Sequence, residues 1–209
     1  DNVLTITNGT HVNAIHQGKS HRQTKFRLVY VGPIRPERGV EDVFRALDNL
    51  DGCLDNAEIR CIGPIRNHDE EWAETLSDRF DEIEATILGY VEHKTALTEI
   101  SEADVCLCPL SDEIDNYRYS YPIKLLEYMA AGRATIATRQ LGTKELIVDR
   151  ETGILVPPGD PQAWEDAIRK LYEDEALRYE LGSRAADEAI RFDWQNINEK
   201  IRDRVEELT

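Results

Sequence analysis

Ser-Tyr-Pro-Ile-Lys-Leu-Leu-Glu-Tyr-Met-Ala-Ala-Gly, residues 120–132, sets the end of a loop directly against the start of a helix. Pro122 suits the first turn of that helix, where its missing N–H is no loss. The N–H groups left unpaired at such a terminus, together with the helix dipole, favour a bound phosphate. Lys124 adds a full positive charge at the same place. One turn on, Glu127 offers two acceptor oxygens, which suit a pair of ribose hydroxyls better than they suit a phosphate. The chemistry these residues share is nucleotide recognition.

Around this stretch, short apolar runs alternate with helical patterns. Phe26 to Val31, Ala57 to Ile62, Ala85 to Leu88, Asp104 to Leu110, Ala134 to Thr138 and Gly153 to Val156 read as strands. Between them, Gly39 to Leu50 places Val40, Val43, Phe44, Leu47 and Leu50 at helical spacing, and Thr95 to Ala103 and Pro122 to Ala131 behave alike. Such alternation predicts a parallel sheet with right-handed crossovers, hence strands covered by helices on both faces. The expected fold is a doubly wound α/β domain. Three further amphipathic segments, Gln162 to Glu173, Ala176 to Ile190 and Trp194 to Leu208, follow the last strand, with Pro161 at a first-turn position and the phase broken near Phe192. Residues 8 to 25, including His16, Gly18, Lys19, Ser20 and His21, have little to bury and read as a linker.

In a doubly wound sheet, ligands bind beyond the carboxyl ends of the strands, where strand order reverses. The candidate loops are Gly32 to Gly39, Gly63 to Asn67, Gly89 to Lys94 and Ser111 to Tyr121. The first, Gly-Pro-Ile-Arg-Pro-Glu-Arg-Gly, is a glycine-bounded turn carrying Arg35 and Arg38, a place for a diphosphate. Asp112, Glu113 and Asp115 form an acidic, solvent-facing loop, and His11, His16, His21 and His68 lack metal-ligand spacing, so no metal site is expected.

The run at 120–132, the Arg-Ala-Thr-Ile-Ala-Thr that follows it, and Gly-Ile-Leu-Val-Pro-Pro-Gly-Asp at 153–160 resemble the donor-binding half of GT-B glycosyltransferases of the family four (group 1) type, from Val3 to the C-terminus. The resemblance implies one half of a GT-B fold, a Rossmann-like domain over residues 26–192. Residues 1–25 would be the interdomain segment that opens it, and the helix over 193–209 would pack back toward a separate N-terminal, acceptor-binding domain. It implies a retaining glycosyltransferase that uses a nucleoside-diphosphate sugar of the UDP or GDP type, with no other cofactor. Arg38 and Lys124 would stabilise the departing diphosphate, aided by Gly32, Arg35, Pro122 and Ile123. The backbone of Gly89 to His93, with Tyr90 and Val91, would read the base, Tyr90 and His93 either stacking on it or merely packing; Gly63 would border the nucleotide, Glu127 would hold ribose, and the loop from Asn116 to Tyr121, with Ser120 and Tyr121, would approach the sugar.

Two positions depart from the family pattern. Pro33 stands where relatives carry an arginine, and Ser120 where many carry a glutamate. Arg35 is the available substitute for the first, and a serine hydroxyl still hydrogen-bonds a sugar. These departures motivate an alternative reading as a non-catalytic GT-B-like assembly or regulatory module; a sugar-nucleotide epimerase is a third. The acceptor implied is a glycan or lipid-linked carrier, in the cytoplasm or at the inner face of the membrane. Without the acceptor domain, this chain alone is not expected to turn over.

Composition bounds the rest. The 209 residues suffice for a substantial core, and no apolar run approaches the roughly 20 residues that span a bilayer. The net charge of −16 excludes nucleic acid as a partner, which would require a basic stripe. Cys53, Cys61, Cys106 and Cys108 lack the spacing of a disulfide scaffold or zinc site; Cys106 and Cys108 fall two apart, as same-face strand residues do. Arginine outnumbers lysine 18 to 7 among abundant acids, the usage of salt-loving archaea. In molar salt the Debye length falls to roughly 3 Å, so acidic self-repulsion is screened. The melting temperature is therefore expected to rise from dilute buffer to concentrated potassium chloride; equal values would contradict a halophilic origin.

Overall fold

The computed structural model describes residues 6–15, 17, 25–50, 52–54, 56–66 and 85–207. His16, the run from Gly18 to His21, Asn67 and His68 lie outside them. Six strands, β1 (Phe26–Val31), β2 (Ala57–Ile62), β3 (Ala85–Gly89), β4 (Val105–Cys108), β5 (Ala134–Thr138) and β6 (Ile154–Val156), form one sheet in the order β3-β2-β1-β4-β5-β6. Every strand pairing is parallel. The chain winds outward from β1 in one direction, then returns to start again at β4, so the strand order reverses between β1 and β4. That is where such sheets hold ligands.

Because both faces of the sheet are covered, alternate residues of a strand feed different cores. Leu28, Tyr30, Val105 and Leu107 pack on one side with α1 (Val40–Asn49) and α6 (Pro161–Glu173). Val29, Cys106 and Cys108 pack on the other with α2 (His93–Ser101) and α4 (Ile123–Ala130). The same-face reading of Cys106 and Cys108 is met, and burial raises both thiols above their ordinary range. Cys53 is exposed. Helix α1 buries Val40, Val43, Phe44, Ala46 and Leu47, the stripe its spacing requires. Helix α4 is buried from Leu125 to Ala130 and sits across the switch point. Its Tyr128 hydroxyl accepts from Val31 N–H at 3.0 Å and donates to Leu107 C=O at 3.4 Å, joining the ends of the two central strands.

Strand β4 is shorter than the apolar run from Asp104 to Leu110 suggests, because the Leu110 N–H leaves the ladder for the Thr138 hydroxyl at 3.0 Å. Past the ends of β1 and β2 the pairing continues instead. Gly32 N–H bonds Ile62 C=O at 2.8 Å, Ile34 N–H bonds Pro64 C=O at 3.0 Å, and Arg66 N–H bonds Ile34 C=O at 3.1 Å. The first two candidate loops are thus zipped together.

Two four-residue helices, α3 (Asp115–Arg118) and α5 (Leu141–Lys144), follow β4 and β5. At the C-terminal end, Asp160 and Asp174 cap α6 and α7 (Glu175–Ala189) by accepting from Ala163 N–H at 3.0 Å and Leu177 N–H at 2.8 Å. A 3-10 turn at Ile190–Phe192 breaks the helical phase before α8 (Trp194–Glu207). The described part of the N-terminal segment is better packed than its composition suggests. Thr10 exchanges backbone hydrogen bonds with Phe192 and Trp194 at 3.0 and 3.2 Å, and a Cβ on Gly9 would meet Phe192 O at 2.8 Å. Main-chain pairing and close approach, rather than apolar side chains, hold this segment down.

The zipped loops generate a stability prediction. Gly63 has φ +147°, and a Cβ there would lie 2.1 Å from Gly32 O. Gly63→Ala therefore meets both backbone strain and a collision with main chain, and is expected to lower unfolding free energy by about 2–4 kcal/mol. Urea denaturation followed by circular dichroism checks this; a loss below about 0.5 kcal/mol would contradict the close approach.

Candidate functional site

The site lies where the sheet topology requires a crevice, between the loop after β1 and the start of α4. Pro122 is the N-cap of α4, not its first helical residue as the sequence suggests. Its ψ of 117° is extended, which the ring's fixed φ permits, and its C=O accepts from Leu125 N–H at 3.0 Å. The helix begins at Ile123, half exposed, and no side chain caps the terminus.

Lys124, in this first turn, extends toward the loop after β1. Its Nζ is buried and has no hydrogen-bond partner among the described residues. It sits 4.3 Å from the centre of the Tyr30 ring and 3.0 Å from where a Cβ on Gly32 would be. Glycine at 32 is what lets the ammonium reach the backbone. Burial, helped by the nearby Arg38 charge and opposed by Cys108 and Glu127, lowers the Lys124 pKa to about 8. Although the stem keeps partial contact with solvent, the ammonium itself is sealed. A desolvated cation that no carboxylate hydrogen-bonds is costly unless a ligand supplies the charge, and the more distant Glu127 charge offsets only part of that cost.

Arg38 ends the 3-10 turn Pro36–Arg38, which stops at Gly39 in the left-handed conformation. A Cβ on Gly39 would lie 2.9 Å from the backbone of Leu110 and Ser111, so the turn abuts the loop after β4. The Arg38 guanidinium lies 4.8 Å from the centre of the Tyr117 ring in α3, and its Nε has no hydrogen-bond partner among the described residues. Arg35 begins the same turn, its Nε likewise buried and without a partner. Pro33 C=O accepts from the Tyr30 hydroxyl at 2.8 Å, which ties down the loop where the sequence lacks an arginine.

One turn along α4, Glu127 is 9% exposed and its charge is felt by Lys124. His93, the first residue of α2, hydrogen-bonds Glu127 through Nε2 and Oε1 at 2.7 Å.

The structure therefore brings together Gly32, Arg38, Pro122, Ile123, Lys124 and Glu127, with Gly63 packed beneath Gly32. The Tyr90 side chain is 89% exposed to solvent, and Val91 packs on the neighbouring core. Ser120 is half-buried, its C=O 2.0 Å from where a Cβ on Gly142 would be. The Tyr121 ring turns away to pack edge-on against Phe192, centroids 6.3 Å apart. There it lines a separate cavity of about 400 Å³ with Ile6, Thr7, Glu145, Arg191 and Lys200. In that cavity Arg191 already pairs with Glu188 and Lys200 is solvent-exposed, so it lacks the unpartnered buried charge of the crevice. Among the described residues, no group of three His, Cys, Asp or Glu side chains stands where it could hold a metal ion. None of their helices is long and apolar enough to cross a membrane.

Sequence reasoning missed Tyr30, Tyr117 and Gly142. Tyr30 falls two residues before Gly32 on an inward-facing strand position, where an aromatic reads as core. Only the fold reveals that its ring also backs a cation.

Order 3-2-1-4-5-6, with a cationic crevice at the reversal, defines a Rossmann-like α/β domain. Residues 25–174 match the family of group 1 glycosyl transferases, and the chain belongs to that family. Its fold is one half of a GT-B glycosyltransferase. Anabaena HepE, whose structure holds UDP and glucose, superposes with a TM-score of 0.81 at 19% identity, covering 97% of this chain and 56% of that one. The C-terminal domain of the group 1 protein LpcC from Francisella tularensis gives 0.74 at 22% identity, covering 87% of this chain and 97% of that domain. These two likenesses are of fold. By sequence, the D-inositol 3-phosphate glycosyltransferase of Corynebacterium diphtheriae is 26% identical over 225 residues, 96% of this chain and 49% of that protein. The phosphatidyl-myo-inositol mannosyltransferase of Mycolicibacterium smegmatis is 29% identical over 167 residues, 79% of this chain and 41% of that protein. The chain spans about half the length of the curated relatives it matches.

The buried ammonium yields an opposed pair of effects. The folded pKa of Lys124, about 8, lies below its ordinary 10.5, so the unfolded chain holds that proton more tightly. The penalty is full below about pH 8 and fades as pH rises toward 10.5. Lys124→Met keeps the volume without the charge and is expected to stabilise the protein at pH 7 by on the order of 1–3 kcal/mol while weakening diphosphate binding. Thermal melts at pH 7 and pH 10 check this; a destabilised variant at pH 7 would contradict it.

Proposed function

We propose that this chain is the nucleotide-sugar-binding half of a retaining glycosyltransferase of the hexosyltransferase type, using a UDP or GDP sugar. The observation that carries the reading is the buried, unpartnered Lys124 ammonium, set between Gly32 and the uncapped start of α4 with Arg38 beside it. Two cations and a helix terminus facing one crevice suit a diphosphate leaving group. As the bond from the sugar's anomeric carbon to the terminal phosphate oxygen breaks, that oxygen takes the electron pair. Lys124, Arg38 and the backbone N–H groups of Ile123 and Lys124 offset the growing charge. Glu127 holds the ribose hydroxyls, the backbone at Tyr90 and Val91 meets the base, and Ser120 and Gly32 border the sugar. Arg35 supplies the charge that Pro33 does not.

The acceptor, a glycan or lipid-linked carrier in polysaccharide synthesis, binds an N-terminal domain that the relatives' double length accommodates. The chain by itself binds the donor and does not transfer it. Work in the cytoplasm, with peripheral contact at the membrane, suits such acceptors. The acidic surface suits a halophile, so binding belongs in molar potassium chloride.

Calorimetry with UDP and GDP in that medium tests the reading. One of the two is expected to bind, and Arg38→Ala is expected to weaken it by about tenfold or more, the loss of one charge-assisted contact. No binding of either nucleotide, with a stable protein partner recovered instead, would favour the non-catalytic module suggested by Pro33 and Ser120. Product analysis after joining the chain to its acceptor domain separates transfer from epimerisation.

A further inference from the structure

Glu127 is an enclosed carboxylate met by the exposed ring of His93. Its side chain is 11% exposed, whereas that of His93 is 70% exposed. The two residues belong to neighbouring helices: His93 opens α2, and Glu127 lies one turn into α4. The contact between Nε2 and Oε1 is 2.7 Å. An ionised carboxylate only accepts, so Nε2 carries the hydrogen here whatever the charge on the ring. The bond takes one acceptor site of Oε1 and leaves the second oxygen for other donors. This bond favours one orientation of the carboxylate, and with it one direction for its remaining lone pairs, before any ligand arrives.

We infer that His93 is a positioning residue that orients the Glu127 carboxylate toward the vicinal hydroxyls of a ribonucleotide, and thereby sets the discrimination between ribose and deoxyribose. The inference rests on the nucleotide reading above and adds a role to it. His93 follows directly on the Gly89-Tyr90-Val91-Glu92 segment, so the element that meets the base also carries the group that aligns the sugar-binding carboxylate. Base and ribose recognition are thereby coupled through one short stretch of chain. Orientation, not added contact, is what such a residue contributes, and an oriented acceptor distinguishes a hydroxyl from a hydrogen more sharply than a rotating one does.

The test is calorimetry of this chain and two variants with UDP and GDP and with the 3′-deoxy form of each. The wild-type protein is expected to bind the ribonucleotide about tenfold more tightly than its deoxy analogue, the scale of one hydrogen bond to a charged group. In His93→Ala that ratio is expected to fall to about threefold or less, and in His93→Gln, whose amide can still donate to the carboxylate, to recover most of its value. A merely structural role for His93 would weaken both ligands alike and leave the ratio standing, and that result overturns the inference. A wild-type protein that binds both forms equally would also overturn it while leaving diphosphate recognition intact. Binding of neither UDP nor GDP would overturn both readings.

Discussion

A lysine ammonium held out of water, with no hydrogen-bond partner among the described residues, governs this structure. Burying a charge is among the most expensive acts of folding, and an unpaired one persists only where its surroundings are fixed by stronger forces. Here those forces are the packing of α4, buried from Leu125 to Ala130, and the Tyr128 hydroxyl that ties this helix to the ends of β1 and β4. With α4 set in place, Lys124 has nowhere to go but toward Gly32 and the face of Tyr30. The ring faces partly offset what solvent no longer provides, by about 0.5–2 kcal/mol for each cation–π contact. Arg38 over Tyr117 repeats the device on the opposite loop. The two cations are thus in place, each against an aromatic face, before a ligand enters.

The same constraint explains where glycines are needed. Gly32, Gly39 and Gly63 lie where loops from different strands approach within contact of one another, and each has positive φ. A Cβ at Gly63 would strike Gly32 O, and one at Gly39 would strike the Leu110–Ser111 backbone. These approaches draw the loops after β1, β2 and β4 into one rim. The glycines therefore serve the cations indirectly, by fixing how near Arg38 and Lys124 come to each other.

Much of this was legible in the sequence. Strand runs such as Phe26 to Val31 and Ala134 to Thr138 coincide with strands because burial on both faces leaves them continuously apolar. The motif at 120–132 located the helix start and its cation because both are local facts. The position of Pro122 was read one residue too far in, since a proline's φ fits the N-cap and the first turn equally. Nonlocal facts stayed hidden. Tyr30 and Tyr117 give no sign that their rings face cations, and the Tyr121 ring turns to a cavity beside Phe192 that only the packing of residues 6–15 and α8 creates. His93 was legible as part of the base-reading segment, where its ring would stack or pack, but its bond to Glu127 spans 34 positions.

An amine whose pKa lies near 8 takes up protons when an anionic diphosphate settles beside it. The most direct measurement is therefore calorimetric titration of UDP or GDP at pH 8.5 in buffers of different ionisation enthalpy, with the wild-type protein and Lys124→Met. Because about a quarter of Lys124 is already charged at that pH, uptake of up to roughly three-quarters of a proton per nucleotide is expected in the wild type and close to none in the variant. Binding without proton uptake, or equal uptake by both proteins, would show that Lys124 is not the group that meets the diphosphate.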